Sequence, residues 1–370
     1  MIAIQLLIFP ELGGPELFSV PCCVQDEFSV STDVSGEPAV GFFVGGGSTG
    51  VVCVPPHGLT VVKDSHKQVA GRYQELLRRS ALAPDLYLGP RLGGVPGHWG
   101  SILVRSNQRG DLMARVTLHQ RDLCRTQVEQ AREEVVEALG GLESVYLAVV
   151  ALDGRRRVEL VLGQPHLEET LGGRRLLLGP DSFLQGNLAA AEQLLQLVQA
   201  KVGSPPGRTA TFLDLCCGVG TYSLQLATRS RGCIGVDVTD TALAATNATR
   251  NGITNCRFET GMVGAVMPAL AAELRRSGAP VTAVLNPGRR GVDREVIQHL
   301  RSIPLLSSLV YVSCEPEDGQ VVANLVDLTK EERGARGPTQ PFHLREAIPL
   351  DMFPQTHHCE HVFVLKRKPA

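Results

Sequence analysis

The chain of 370 residues is short of several things, and each shortage excludes something. It has no apolar run of the roughly 20 residues that a bilayer demands, so no membrane-spanning helix is expected. It has almost no net charge. Its 36 cations against 38 acids leave −2, and bulk charge argues for neither nucleic acid nor a membrane surface. None of its ten cysteines forms a Cys-x-x-Cys pair, so a zinc site is not expected. Four of them sit as adjacent residues, Cys22-Cys23 and Cys216-Cys217. That is unlike a secreted disulfide framework and fits a reducing compartment. Residues 1–56 contain no Lys or Arg and six acids. A matrix-targeting leader is Arg-rich and acid-poor, so this opening shows no sign of one. The chain reads as cytosolic, or as carrying an N-terminus that is missing or replaced. Lys is scarce too, six of the 36 cations, which leaves 30 Arg. The planar fork of Arg suits phosphates and stacked bases, although a GC-rich codon bias would give the same count.

What is present is globular: 43% apolar residues, 39 Gly and 23 Pro, a length for two domains. Residues 1–26 have no period and are expected to precede the fold. Residues 27–187 read as an α+β module. It has short strands at 40–45 and 51–56, and a helix over 66–82 with Val69, Tyr73, Leu76 and Leu77 on one face. Further strands are expected at 101–108, 111–120, 145–152 and 156–163, with a helix near 126–139. The stretch GRRLLLGPDSFLQGN (173–187) leads out of the module. In this half Arg72, Arg78, Arg79, Arg105, Arg109 and Arg155–Arg157 are candidates to hold phosphates. From residue 188 a helix (188–202) opens a strand–helix alternation. Strands are expected at 211–215, 232–237, 255–258, 281–286, 308–313, 343–350 and 361–367. Such alternation predicts a mostly parallel sheet with helices on both faces, an α/β, Rossmann-like domain over 188–370.

That second half carries the chemistry. Phe212-Leu213-Asp214-Leu215-Cys216-Cys217-Gly218-Val219-Gly220-Thr221 is an apolar strand that runs into a glycine turn and a helix. Gly218 and Gly220 let a ligand approach the backbone. Ser at 223 breaks the dinucleotide pattern Gly-x-Gly-x-x-Gly, and Asp237 ends the next strand, where an acid binds ribose hydroxyls. A cofactor with a ribose and no pyrophosphate fits best, which points to a class I S-adenosylmethionine methyltransferase over a dehydrogenase. Asn286-Pro287 ends the strand at 281–286, and Cys314 ends the one after it. Both fall at the sheet edge where ligands of open α/β sheets sit. Glu360 precedes the last strand, among His357, His358, Cys359 and His361. These residues are consecutive and lack a distant partner set, so no metal is expected.

In chain order, Phe183-Leu184-Gln185-Gly186-Asn187, LDLCCGVGT, Asn286-Pro287-Gly288-Arg289-Arg290-Gly291, VSCEP and DMFPQTHHCE make a set more specific than any of its parts. Together, over about 26–366, they resemble the RNA uracil-C5 methyltransferases that form 5-methyluridine, and most of all the vertebrate mitochondrial branch. The resemblance implies a class I methyltransferase domain behind an RNA-contacting module, S-adenosylmethionine as cofactor, and RNA as partner. The target it implies is the T-loop uridine of tRNA (position 54), with rRNA as a second candidate, and the location it implies is mitochondrial. It implies Cys314 as nucleophile, Glu360 as proton acceptor, and Gln185, Gly218, Asp237 and Asn286 at the cofactor. The chain departs from the family pattern at four places. Asn286 stands for the commoner Asp and Gly288 for the second Pro of Asp-Pro-Pro-Arg-x-Gly. Glu315 stands for the Asn that usually follows the nucleophile. No acid follows the third strand in GMVGAV (261–266).

The chemistry explains the residue types. C5 of uracil is a weak nucleophile. Attack by a thiolate at C6 makes an enolate and enriches C5, which then accepts the methyl group. A base must next remove the C5 hydrogen so that elimination frees the thiol. One nucleophile and one carboxylate beside the same ring edge are therefore required. A donor near the O4/N3 edge is also needed, with Asn286 or Arg289 as candidates. Two alternatives stay open at this point. One is a non-catalytic RNA-binding relative, suggested by Asn286, Gly288 and Ala265. The other is an amino-group methyltransferase built on Asn286-Pro287, which here lacks the aromatic residue that such enzymes place after it.

Overall fold

The computed structural model of the chain describes residues 3–4, 23–45, 50–89, 93–203, 208–334, 337–353, 356 and 358–367. It divides into two compact units. One holds Pro15–Glu169 with Leu178–Asp181, and the other holds Met1–Gly14, Thr170–Leu177 and Ser182–Ala370.

The first strand, β1 (Ala3–Ile4), belongs to the second unit. The first unit comprises β2 (Gln25–Thr32), β3 (Pro38–Gly45), β4 (Val51–Val54), α1 (Asp64–Arg79), β5 (Leu86–Gly89), β6 (Gly93–Val95), β7 (Trp99–Ser106), β8 (Leu112–His119), α2 (Arg125–Leu139), β9 (Ser144–Val150) and β10 (Arg156–Gly163). Seven of these strands form one sheet in the order β10-β9-β8-β7-β2-β3-β4. Only the β8–β9 pair is parallel, and α2 is its crossover. The apolar faces of α1 (Val69, Tyr73, Leu76, Leu77) and α2 (Ala131, Val135, Leu139) pack in one core with Trp99, Ile102 and Val116. Tyr73 is fully buried and its hydroxyl donates to the Gly100 carbonyl at 2.9 Å. The sequence places a helix on this apolar face because the 3.6-residue period leaves no other way to bury it.

Two of the arginines expected to hold phosphates serve this unit's own structure. Arg105 is 1% exposed, and its guanidinium donates to Gln25 and to the Gly179 carbonyl. Arg72 donates to the carbonyls of Ala138 and Gly140, which α2 leaves without partners at its C-terminal end. Neither matches a solvated phosphate-binding face, and both leave the candidate set. Arg155 and Arg157 stay largely exposed.

The second unit continues with a hairpin of β11 (Leu167–Leu171) and β12 (Arg174–Leu178), in which the chain passes from one unit to the other. Its two-residue loop is Gly172-Gly173, both with positive φ, the backbone that a tight hairpin turn requires. Then follow α3 (Leu188–Val202), β13 (Thr211–Leu215), α4 (Thr221–Leu226), β14 (Gly232–Asp237), α5 (Ala242–Arg250), β15 (Cys256–Thr260), α6 (Val263–Ser277), β16 (Val281–Leu285), α7 (Arg294–Arg301), β17 (Leu306–Ser313), α8 (Gly319–Thr329), β18 (Glu332–Gly334), β19 (Gly337–Thr339), β20 (His343–Leu350) and β21 (Glu360–Lys366). The large sheet runs β1-β20-β21-β17-β16-β13-β14-β15. Strands β13 to β17 are parallel, β21 runs antiparallel to β17, and β20 antiparallel to β21. β16 is buried at all five positions, as a strand covered by helices on both faces must be. The chain winds outward from β13 through β14 to β15 and then returns to β16 on the other side of β13. The gap above β13 and β16 is the topological switch point, where such sheets open a crevice.

Two departures from the expected elements have clear causes. Residues 1–26 are expected to precede the fold, yet Ala3–Ile4 pair in parallel with Glu346–Ala347, and Gln25 and Asp26 belong to β2. The two-residue edge strand β1 is too short to carry a period that a window can register, and β2 begins two residues ahead of the expected boundary. The β11/β12 hairpin was expected as a bare lead-out, and it is held by side chains from α5. Buried Asn247 accepts from the Leu177 amide (2.7 Å) and donates to the carbonyls of Leu177 and Val219. One turn on, Asn251 makes the same two-way contact with the backbone of Arg175 (3.0 and 2.7 Å). Helical spacing lets two amides act as a strand edge.

Replacing Asn247 by Leu leaves buried backbone groups of Leu177 and Val219 without partners. Thermal or urea denaturation is expected to show a loss of about 2–3 kcal/mol, against about 1 kcal/mol for Asn251→Ala, whose bonds are closer to water.

Candidate active site and cofactor cleft

The glycine turn is built by bending the chain as β13 ends. Cys216 adopts a left-handed backbone (φ 65°), and Gly218 and Gly220 follow at φ 53° and 90°. The amides of Cys216 and Cys217 both point at the Val236 carbonyl (2.8 and 3.1 Å). The Gly218 amide donates to Asp237 Oδ2 at 2.8 Å, while Asp237 Oδ1 accepts from the Thr239 amide and hydroxyl. The acid that ends β14 is thus locked to the turn. A Cβ on Gly218 would meet nothing within 4 Å, so the space above it is open to a ligand. Beneath the turn, Asp214 is fully buried. Its carboxyl accepts from the Ser223 amide and hydroxyl (2.8 and 2.6 Å), which ties the first turn of α4 to β13. Burial pushes that carboxyl up to about 7 despite those bonds.

A cleft opens over this turn. Gln185, Cys216, Gly218, Thr221, Tyr222 and Asn286 line it, with Phe183 and Leu184 also on its wall. The structure therefore brings Gln185, Gly218 and Asn286 to one cavity, and places Asp237 directly behind Gly218. Two large apolar side chains stand uncovered nearby. Val238, after Asp237, is 67% exposed, and Met262, after β15, is 63% exposed. The Gly261 amide donates to the Asp237 carbonyl, which holds the two loops together. An acid for a ribose, an open glycine turn and two bare apolar side chains suit a nucleoside cofactor without a pyrophosphate. Sequence reading missed Val238 and Met262, since a single apolar residue after a strand carries no signal.

Cys314 and Glu360 come from strands of opposite direction. The β17–β21 ladder ends with Ser313 opposite His361. One step further along that register sets Cys314 abreast of Glu360, at the edge that carries the glycine turn. Glu360 is 2% exposed, its Oε2 has no protein partner, and burial pushes its carboxyl up to about 7. The Cys314 thiol is raised by burial and by the charge of Glu360, against the pull of Arg289. Burial and the same Glu360 charge raise the Tyr222 phenol in the cleft wall. Nucleophile candidate, carboxylate and cleft thus share one electrostatic neighbourhood. By contrast, Cys216 lies in the cleft but its thiol is pushed up to about 12 by burial and the charges of Asp237 and Asp214, so it is inert.

Of the cluster around Glu360, His357 lies outside the described residues. His361 stacks on Phe363 at 6.0 Å, and the Cys359 thiol donates to the Leu350 carbonyl. Among the described residues no group of three or more His, Cys, Asp or Glu could hold a metal ion, and no helix is long and apolar enough to cross a membrane.

Sheet order, glycine turn and strand-end acid define a Rossmann-like methyltransferase domain. A family model for tRNA (uracil-5-)-methyltransferases matches residues 114–368. The chain is 33% identical to the mouse tRNA (uracil-5-)-methyltransferase homolog B over 92% of its own length and 70% of that protein's. Against the zebrafish homolog B it is 34% identical over 92% and 72%. The solved structure of Pyrococcus abyssi tRNA (uracil-54, C5)-methyltransferase in complex with S-adenosyl-L-homocysteine shares the fold, with a TM-score of 0.67 and 20% identity over 94% of this chain and 76% of that one. The chain belongs to the tRNA (uracil-5-)-methyltransferase family. It is a methyltransferase of a family that uses S-adenosylmethionine, which sets aside the non-catalytic and amino-group alternatives.

Glu360 is ionised more readily in the unfolded chain than in the folded one. The folded state then holds the extra proton between about pH 4.5 and 7, and this penalty on stability appears as pH rises through that window. Glu360→Gln removes it. The variant is expected to match the wild type near pH 4 and to exceed it by about 1–3 kcal/mol at pH 8 in chemical denaturation.

Proposed function

We propose that this protein methylates C5 of uridine in RNA, with the T-loop uridine of tRNA as its target, through a covalent adduct between Cys314 and C6 of the base. The observation that carries this reading is the register of β17 and β21, which sets a thiol abreast of a buried, unpartnered carboxylate beside the cofactor cleft. The tRNA (uracil-54, C5)-methyltransferase of the same fold supports the choice of substrate. A mitochondrial location goes with the resemblance to the vertebrate branch.

Bound S-adenosylmethionine supplies an electrophilic methyl group. Asp237 would take the ribose hydroxyls, Val238 and Met262 would cover the adenine, and Gln185 and Asn286 would orient the rest. Cys314 Sγ would add to C6 of the flipped base, and the C5 position so enriched accepts the methyl group. Arg289, whose charge reaches the thiol, favours the thiolate and the enolate alike. Glu360 Oε2 would then take the C5 proton, and the C6–S bond breaks to return the thiol. A carboxyl that titrates near neutrality suits a base that must accept this proton and later give it to solvent. Phe183, two-thirds exposed at the cleft, offers a face on which an unstacked base could rest. Extrusion of the base costs a few kcal/mol, and such stacking offsets part of it.

Cys314→Ala is expected to abolish 5-methyluridine formation in tRNA transcripts while S-adenosylmethionine still binds in a calorimetric titration. Retained activity would end this mechanism. Glu360→Gln is expected to accumulate a protein–RNA adduct on denaturing gels. Asp237→Ala should weaken cofactor binding by about tenfold or more, the value of one or two charge-assisted bonds. Nucleoside mass spectrometry of separated tRNA and rRNA from cells lacking the protein tells the two substrates apart. Loss confined to tRNA is expected.

A further inference from the structure

The run Arg155-Arg156-Arg157 reads in the sequence as one basic stretch, and the structure splits it. Arg155 Nε sits 2.5 Å from Asp153 and Arg157 Nη2 sits 2.6 Å from Glu159, each with a carboxylate two residues away in the chain. Arg156 opens β10, and strand alternation turns it to the face opposite Arg157. There it reaches Asp181 Oδ1 at 2.9 Å. The same oxygen accepts from Arg115 of β8. Ala114 and Val116 enter the core shared with α1 and α2. Arg115 therefore lies on the other face of the sheet, where it pairs with Tyr146 of β9. It is 9% exposed. Its Nη1 also donates to the Pro180 carbonyl (3.3 Å), while its buried Nε has no protein partner among the described residues. Arg105 shares this neighbourhood. Burial, then the charge of Arg115, push its guanidinium down to about 10, and Asp181 pulls the other way. All four charged residues belong to the first unit.

One carboxylate thus serves two guanidiniums, beside a third that spends its donors on Gln25 and the Gly179 carbonyl. A buried donor without an acceptor is costly, and the surplus of positive charge is relieved by a second anion. Two forks that meet at one point suit a group with two equivalent oxygens. Of the groups that RNA presents, the backbone phosphodiester is that one.

We propose that Arg115 and Arg156 form a binding site for one backbone phosphate of the RNA, with Asp181 as the internal anion that holds the two forks together until RNA arrives. Arg155 and Arg157 already face carboxylates of their own and contribute less. The inference rests on RNA as the substrate class of the proposed function. The site positions the RNA and takes no part in methyl transfer.

Binding of a fluorescent tRNA transcript to the full chain is followed by anisotropy over a series of salt concentrations. Arg156→Gln is expected to weaken binding about three- to tenfold near physiological salt and to reduce the slope of log affinity against log salt by about 1, the signature of one lost phosphate contact. Arg156→Lys should restore the slope, which counts charge, but only part of the affinity, which also needs the fork. Arg115→Lys should likewise keep the slope and lose affinity. Arg157→Gln should cost less than Arg156→Gln. Equal losses from those two Gln variants mean diffuse attraction and overturn the proposal. So does an Arg156→Gln variant that keeps wild-type affinity and slope but loses a thermal shift that inorganic phosphate gives the wild type, which assigns the pair to a free anion. If the wild type binds the transcript and Arg156→Gln matches it, this site falls and the RNA reading stands. If the wild type does not bind, the RNA reading falls and takes the site with it.

Discussion

A carboxylate that reaches the functional edge of a parallel sheet through a reversed strand is the constraint on which this site depends. Strands β13 to β17 all end at the edge where the cofactor cleft opens, so each can deliver only the residue that follows it. β21 runs the other way. Its first residue, Glu360, arrives at that same edge with its chain leading into the sheet instead of away from it. The carboxyl is buried on arrival, because β17 and β20 pair with β21 on its two sides. A thiol that ends one strand and a carboxyl that begins its antiparallel neighbour are then side by side by register alone.

Burial of that group opposes stability, and the domain tolerates it twice. Asp214 and Glu360 both sit at about 7 because the apolar surroundings disfavour their charged forms. Asp214 is compensated by Ser223 and serves to hold the glycine turn. Glu360 Oε2 has no protein partner. The proposed mechanism gives that unsatisfied carboxyl the C5 proton to accept. The large apolar core around β13, β16 and β17 offsets the cost.

Arginine is the commonest cation here, and the first unit shows how little that count says about any one residue. Arg105 and Arg72 spend their donors on backbone carbonyls, whereas Arg155 and Arg157 remain at the surface. Side-chain chemistry is the same in all four. Burial and neighbouring orphan carbonyls, which depend on how α2 and the strands pack, separate them.

The sequence by itself determined the period of each long element, the glycine turn between β13 and α4, the strand-end positions of Asp237, Asn286 and Cys314, and the family. These are local facts, legible because alternation, Gly-x-Gly and a strand end are written in neighbouring residues. Short pieces escaped: Ala3–Ile4 and the Gly172-Gly173 hairpin are held by distant partners. Tertiary structure alone decided that Cys314 and Glu360 lie abreast, that Cys216 is a silent thiol, that Val238 and Met262 stand bare beside Asp237, and that Arg115 and Arg156 share Asp181. Each of these depends on strand register and burial, which are set by contacts between residues far apart in the chain.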